Sequence, residues 1–282
     1  MKVAVIGLGL MGAGIAEVCA RAGCDVLAIE YDQRGLDAGT ARLSASLGGA
    51  VDRGRLDPAG AQLALSRITT SLDYADLFDR DLVIEAATEN EQAKLAIFAR
   101  LDEAVGPRSI LASNTSSIPI AKLALATTRP ELVVGMHFFN PVPARSLVEV
   151  IPSLMTSEET RAAVEAFARD RLRKVVVFAS DRAGFIVNAL LIPYLLSAVR
   201  MFEGGHASRD DIDKGMVEGC AHPMGPLALI DLVGLDTVAA IARIMFAEYG
   251  EPHLLPPPLL SRMVEAGFTG RKAGKGFYEY AS

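Results

Sequence analysis

At 282 residues, half of them hydrophobic, the chain is too long for one ordinary domain and long enough to bury two cores. A net charge of −6 without any Lys/Arg run excludes the electrostatic footprint of a nucleic-acid-binding protein. Three cysteines, Cys19, Cys24 and Cys220, make neither an even disulfide set nor a metal-type spacing, so a reducing, cytoplasmic compartment and no metal site are expected.

The first predicted element is a short apolar strand, residues 2–6. Gly7-Leu8-Gly9-Leu10-Met11-Gly12 follows at once, then an apolar helix to about Ala22, stopped by Gly23, and a second strand, 25–29, that ends in Glu30. Strand, G-x-G-x-x-G, helix, strand, acid is the context in which a dinucleotide-binding fingerprint works. Gly7 allows the tight turn, Gly9 lets the backbone approach a pyrophosphate, and Gly12 lets the helix pack close on the strand. The helix N-terminus presents its N–H groups to the phosphates. Gly7, Gly9, Leu10, Met11 and Gly12 are therefore the candidate cofactor-binding loop. Glu30, twenty-three residues after Gly7, is placed to bind the adenosine ribose hydroxyls and to repel a 2′-phosphate, which predicts NAD rather than NADP. The opening stretch also mimics a signal peptide, but Gly7, Gly9, Gly12 and Gly14 would interrupt its apolar run.

Residues 36–47 and 58–66 read as helices, the second with Asp57 at its N-cap, and Gly48, Gly49 and Gly54 are expected to loosen the chain between them. Arg42, Arg53 and Arg55 lie here, either as a solvated face or as a landing site for the phosphates of a large carrier. DLVIEAA, 81–87, reads as a buried parallel strand. Glu89 and Lys94 follow at its exit, leading into a helix to about Val105. The next strand, 109–113, runs into Asn114-Thr115-Ser116-Ser117. Ligands of open α/β sheets sit beyond the carboxyl ends of strands, where Glu89, Ser116 and Asn140 all fall. Singly, each would pass for a helix cap or turn former; together they point to a common cleft.

GMHFFNPVPARSLVEVI, 135–151, holds one histidine and one glutamate on two apolar runs, 132–139 and 147–151, that read as short strands. The turn 140–146, with Pro141 and Pro143, folds the second run beside the first, so that His137 and Glu149 face each other. Such a pair is either a general base held by its carboxylate or a core histidine bonded to a convenient acid. A helix, 157–170, and a strand, 174–179, come next, and there the alternation of strand and helix stops. From Gly184 the pattern is helical: 184–203, 208–219, 226–232, 237–249 and 258–266, with Pro193 expected to kink the first. Residues 183–199 carry no charge, but Asn188 and Pro193 within them and Arg182 and Arg200 around them predict a buried core or interface helix, not a membrane span. The expected fold is α/β: a Rossmann-type dinucleotide-binding domain with a mostly parallel sheet, residues 1–182, followed by an all-helical domain, residues 183–282.

GLGLMGAGIAEV, DLVIEAATEN, ASNTSS, GMHFFNPVP with LVEVI, GFIVNALLIPYLL, HPMGPLALIDLVGLD and GRKAGKGFYEY together resemble the 3-hydroxyacyl-CoA dehydrogenase family, in family order and over nearly the whole chain. The resemblance implies an NAD-dependent enzyme oxidising short-chain (3S)-3-hydroxyacyl-CoA, with 3-hydroxybutyryl-CoA and acetoacetyl-CoA as the expected pair. It also implies a homodimer through the helical domain and an active site between the two domains. By motif, His137 is similar to the catalytic base and Glu149 to its orienting acid. Ser116 and Asn188 resemble the polar residues around the substrate. Glu89, Lys94, Asn140 and Lys272 look like further cofactor contacts. The turn PVPARSLVEV departs from the family in carrying Arg145 where an apolar residue is common, and Ala183 and Ala189 replace a Pro and an Arg. These changes bear on the acyl group more than on the reaction. Three alternatives remain: the same chemistry on a polar acyl group whose distal carboxylate meets Arg145, the same chemistry on a carrier-protein thioester, and a catalytically silent NAD-binding structural or redox-sensing protein. Enzymes acting on free β-hydroxyacids use a lysine one helical turn from an asparagine, and no lysine follows Asn188.

Overall fold

The computed structural model describes residues 1–280 and divides into two compact units, Met1–Arg182 and the chain from Ala183 onward. In the first, strands and helices run β1 (Lys2–Ile6), α1 (Leu10–Arg21), β2 (Asp25–Ile29), α2 (Gln33–Asp52), α3 (Pro58–Ser66), β3 (Ile68–Ser71), β4 (Leu82–Glu85), α4 (Glu91–Ala104), β5 (Ile110–Ser113), α5 (Ile120–Leu125), β6 (Val133–Phe138), β7 (Leu147–Pro152), α6 (Glu158–Ala166) and β8 (Val175–Phe178). They form one eight-stranded sheet in the order β3-β2-β1-β4-β5-β6-β7-β8. β1 to β6 pair in parallel, β7 turns back antiparallel to β6, and β8 lies parallel to β7.

This is the doubly wound arrangement expected of a Rossmann-type domain, with the strand order reversing between β1 and β4. β4 and β6 are buried throughout, which is why they read as continuous apolar runs rather than alternating ones. The eight residues between β6 and β7 are too few for a crossover helix, so the pair must be antiparallel. Its register sets His137 opposite Glu149.

Several local expectations shift. α2 continues through Gly48 and Gly49 to Asp52, carried by a four-residue stripe of Gly39, Leu43, Leu47 and Ala50 buried on one face. Helix 157–170 gives way after Ala166 to a π-helical turn, Phe167–Arg171, that keeps Phe167 and Ala168 buried. β3 and α5 were not anticipated. β3 is a partly exposed edge strand with the sequence ITTS, and α5 is a helix of six residues.

The second unit contains α7 (Val187–Glu203), α8 (Arg209–Cys220), α9 (Pro226–Val233), α10 (Leu235–Tyr249) and α11 (Pro258–Glu265) around a core that includes Leu195, Leu196, Val199, Ile230, Val238 and Met245. α7 starts three residues later than its pattern suggested. Gly184 and Phe185 both hold left-handed backbone, φ +84° and +48°, and a Cβ at Gly184 would press on Ala189 N and Met245 Sδ at 3.0 Å. Two buried aspartates join elements distant in sequence. Asp213 accepts from the Leu227 and Ala228 amides at the start of α9, and Asp231 accepts from the Phe277 and Tyr278 amides and the Tyr280 hydroxyl. Among the described residues no helix is long and apolar enough to cross a membrane.

Candidate active site

The glycine loop follows β1. Gly7 has φ +90°, and a Cβ there would stand 2.8 Å from the Ala87 Cα, so the turn is closed against the end of β4. Gly9 is the N-cap of α1, with no side chain capping the helix, and a Cβ on it would meet nothing within 4 Å. Leu10 and Met11 open the helix beside it. A tight turn, an open approach over Gly9 and an uncapped twelve-residue helix make a cradle that fits a dinucleotide pyrophosphate. Glu30 stands directly after β2 with one carboxylate oxygen accepting from the Leu8 amide and the other from the Tyr31 amide at 3.1 Å. Of Arg42, Arg53 and Arg55, it is Arg42 that donates to the Leu8 carbonyl, at 3.1 Å.

Beyond the carboxyl ends of β4 and β5 lies a polar cluster. Glu89 Oε1 accepts from the Thr115 hydroxyl at 2.7 Å, the Ser116 amide at 2.8 Å, the Ser116 hydroxyl at 3.1 Å and the Ser117 hydroxyl at 2.9 Å. Withdrawal from water works against its charge, but the Lys94 ammonium and these hydrogen bonds outweigh it, and the Glu89 carboxyl lies below its ordinary range. Lys94 does not reach outward. It is 1% exposed, and its ammonium donates to both oxygens of Glu85 at 2.6 Å, with Glu89 Oε2 at 3.7 Å. Glu85, fully buried, also accepts from the Ser113 hydroxyl and the Ala87 amide at 2.8 Å.

Sequence reasoning passed over Glu85, Ser113, Thr115 and Ser117. The available signal was the acid inside DLVIEAA: a charge in a strand buried on both faces needs a buried partner. Breaking such a pair by removing one member typically costs about 3–5 kcal/mol.

His137 and Glu149 meet as the hairpin register requires. Nδ1 lies 2.7 Å from Glu149 Oε2, the histidine is 7% exposed and the glutamate fully buried. A carboxylate on Nδ1 calls for the Nδ1–H tautomer and turns Nε2 into the basic nitrogen. The Phe139 ring packs at 4.6 Å from the imidazole, and the Phe138 amide donates to Asn114 Oδ1, tying this strand to the serine loop. Asn140 follows on the exposed turn, where Arg145 Nε donates to its carbonyl at 3.3 Å. The turn is held from inside by Lys174, which donates to the Val142 carbonyl at 2.7 Å and to that of Arg145.

Two candidate residues belong to the helical unit. Asn188 is the second residue of α7, half-buried, and Lys272 is paired with Asp236 at 2.7 Å. The structure thus gathers the glycine loop, Glu30, Glu89, Ser116, Asn140 and the His137–Glu149 pair on the sheet unit, with Lys94 behind Glu89.

The 3-hydroxyacyl-CoA dehydrogenase NAD-binding domain matches residues 2–182, and the 3-hydroxyacyl-CoA dehydrogenase C-terminal domain matches residues 184–280. The 3-hydroxybutyryl-CoA dehydrogenase of Mycobacterium tuberculosis is 54% identical over 280 residues, covering 99% of this chain and 98% of its own. That of Clostridioides difficile is 44% identical, covering 99% of both. Among solved structures, M. tuberculosis FadB2 superposes with a TM-score of 0.98 at 55% identity, covering 99% of this chain and 98% of its own. The (S)-3-hydroxybutyryl-CoA dehydrogenase PaaH1 of Ralstonia eutropha superposes with a TM-score of 0.95 at 43% identity, covering 100% and 99%.

Proposed function

The chain belongs to the 3-hydroxyacyl-CoA dehydrogenase family, and we propose that, within the NAD-dependent oxidation of 3-hydroxyacyl-CoA, its substrate is a short-chain (3S)-3-hydroxyacyl-CoA, with His137 and Glu149 as the proton-transfer pair. 3-Hydroxybutyryl-CoA is the favoured member, by similarity to relatives named for it. The observation that carries the chemical assignment is the 2.7 Å contact between His137 Nδ1 and Glu149 Oε2.

Oxidising a secondary alcohol removes a proton from oxygen while a hydride leaves carbon; NAD, when bound, accepts that hydride. His137 Nε2 takes the proton. Glu149 fixes the ring and stabilises the imidazolium that results. General-base assistance of this kind contributes about 10²–10⁴-fold. Asn188 donates a hydrogen bond to the reacting oxygen or the thioester carbonyl, worth about 10²–10³-fold, and Ser116, its one proton held by Glu89, accepts from the substrate hydroxyl. The glycine loop and Glu30 bind the adenosine half of NAD, and Glu89, Asn140 and Lys272 serve as further contacts, with Lys94 acting from behind Glu89. We assign the protein to the cytoplasm as a homodimer joined through its helical unit.

His137→Gln is expected to lower turnover of acetoacetyl-CoA by about 10²–10⁴-fold while NADH still binds. A variant with unimpaired turnover removes His137 from the mechanism.

A further inference from the structure

Glu85 closes the central strand β4, with Ile6 of β1 and Ser113 of β5 as its register partners. An apolar side chain would fill this fully buried place without the penalty of desolvating a carboxylate. Glu85 is instead the root of a continuous polar chain. Both its oxygens accept from Lys94 at 2.6 Å, and the Lys94 ammonium forms an ion pair with Glu89 Oε2 at 3.7 Å. Glu89 Oε1 in turn gathers the amide and hydroxyl of Ser116 together with the hydroxyls of Thr115 and Ser117. A second branch leaves Glu85 through the Ser113 hydroxyl at 2.8 Å, next to Asn114, whose side chain accepts from the Phe138 amide beside His137.

The charges alternate along the main branch: carboxylate, ammonium, carboxylate, hydroxyl. Each link fixes the next. With two protons committed to Glu85, the Lys94 ammonium cannot swing outward, and the half-exposed Glu89 is drawn over the serine loop. Glu89 then fixes the Ser116 side chain at one rotamer, its hydroxyl pinned by an acceptor 3.1 Å away.

We infer that Glu85 is a positioning residue for the reaction, setting the Ser116 hydroxyl through Lys94 and Glu89. The inference rests on the reading of Ser116 as a substrate contact.

The test is a double-mutant cycle on the full-length enzyme with acetoacetyl-CoA and NADH, using Glu85→Gln, Ser116→Ala and the pair. Glu85→Gln is expected to lower kcat at least tenfold with the KM for NADH changed less than threefold. The double variant is expected to be no slower than the slower single, because both changes disable one path. Lys94→Met replaces Glu85→Gln in the same cycle where the latter fails to fold, and Lys94→Arg is expected to restore part of the kcat that Lys94→Met loses. If Ser116→Ala is impaired and the losses multiply, Glu85 acts independently of Ser116 and the positioning role is overturned. If Ser116→Ala alone is fully active, the reading of Ser116 fails first and this inference fails with it.

Discussion

A Cβ on Gly12 would stand 1.7 Å from the carbonyl oxygen of Gly7, so helix α1 touches the turn that precedes it with nothing between them. Gly9, three residues earlier, would place a Cβ in open space. The two glycines of one loop therefore serve different ends, and their alanine variants separate them. Gly12→Ala is expected to force the helix off the strand and to lower both Tm and NADH affinity. Gly9→Ala is expected to keep the Tm and to weaken NADH at least tenfold, read by thermal denaturation and NADH titration. A Gly9→Ala enzyme with unchanged NADH affinity would show that the space over Gly9 is not cofactor space.

Glu30 holds the Leu8 amide with one oxygen and the Tyr31 amide with the other, which fixes a negative charge beside the loop. Glu30→Ala is expected to reduce kcat/KM with NAD and to raise the NADP/NAD ratio of kcat/KM values by tenfold or more. An unchanged ratio removes Glu30 from the discrimination between the two cofactors.

Arg145 is exposed on the turn that joins the two strands carrying His137 and Glu149. If it selects the acyl group, Arg145→Leu improves kcat/KM for butyryl-length and hexanoyl-length 3-oxoacyl-CoA and lowers it for a dicarboxylic analogue by about tenfold, the loss of one charge-assisted contact. Equal values across all three substrates before and after the change return Arg145 to the solvated surface.

Lys174 lies immediately before β8, and burial pushes its ammonium below the usual lysine range, with Arg21 adding to the effect and Cys19 opposing it. Lys174→Met keeps the length and removes the donor, leaving the Val142 and Arg145 carbonyls without it. The expected destabilisation is about 1–3 kcal/mol in urea unfolding, with a higher KM for the acyl thioester as the turn loosens. A variant that loses stability but keeps its KM would confine the lysine to folding.

The sequence was most informative where periodicity and punctuation agree. Gly7, Gly9 and Gly12 between two apolar strands predicted the loop, and two apolar runs folded back at a short turn with two prolines predicted that His137 would meet Glu149. β3 was illegible because ITTS is short, polar at its centre and only partly buried. The glycines at 48 and 49 misled because local propensity was overruled by the buried stripe on α2. The Glu85–Lys94–Glu89 chain was out of reach for a different reason. Glu89 and Ser116 lie twenty-seven residues apart in sequence, and only the adjacency of β4 and β5 brings them together. What the letters did offer was an acid in the middle of an apolar strand, which is an anomaly worth following whenever it appears.

Lys174 grips main-chain oxygens, and those are the same whatever side chains the hairpin loop carries. The anchor is thus indifferent to the identity of positions 142 and 145, while the imidazole and its carboxylate are fixed by the ladder on either side. Val142 is buried, whereas 144–146 are exposed, so a selection library confined to 144–146 is a route to altered acyl preference that leaves the His137–Glu149 pair in place.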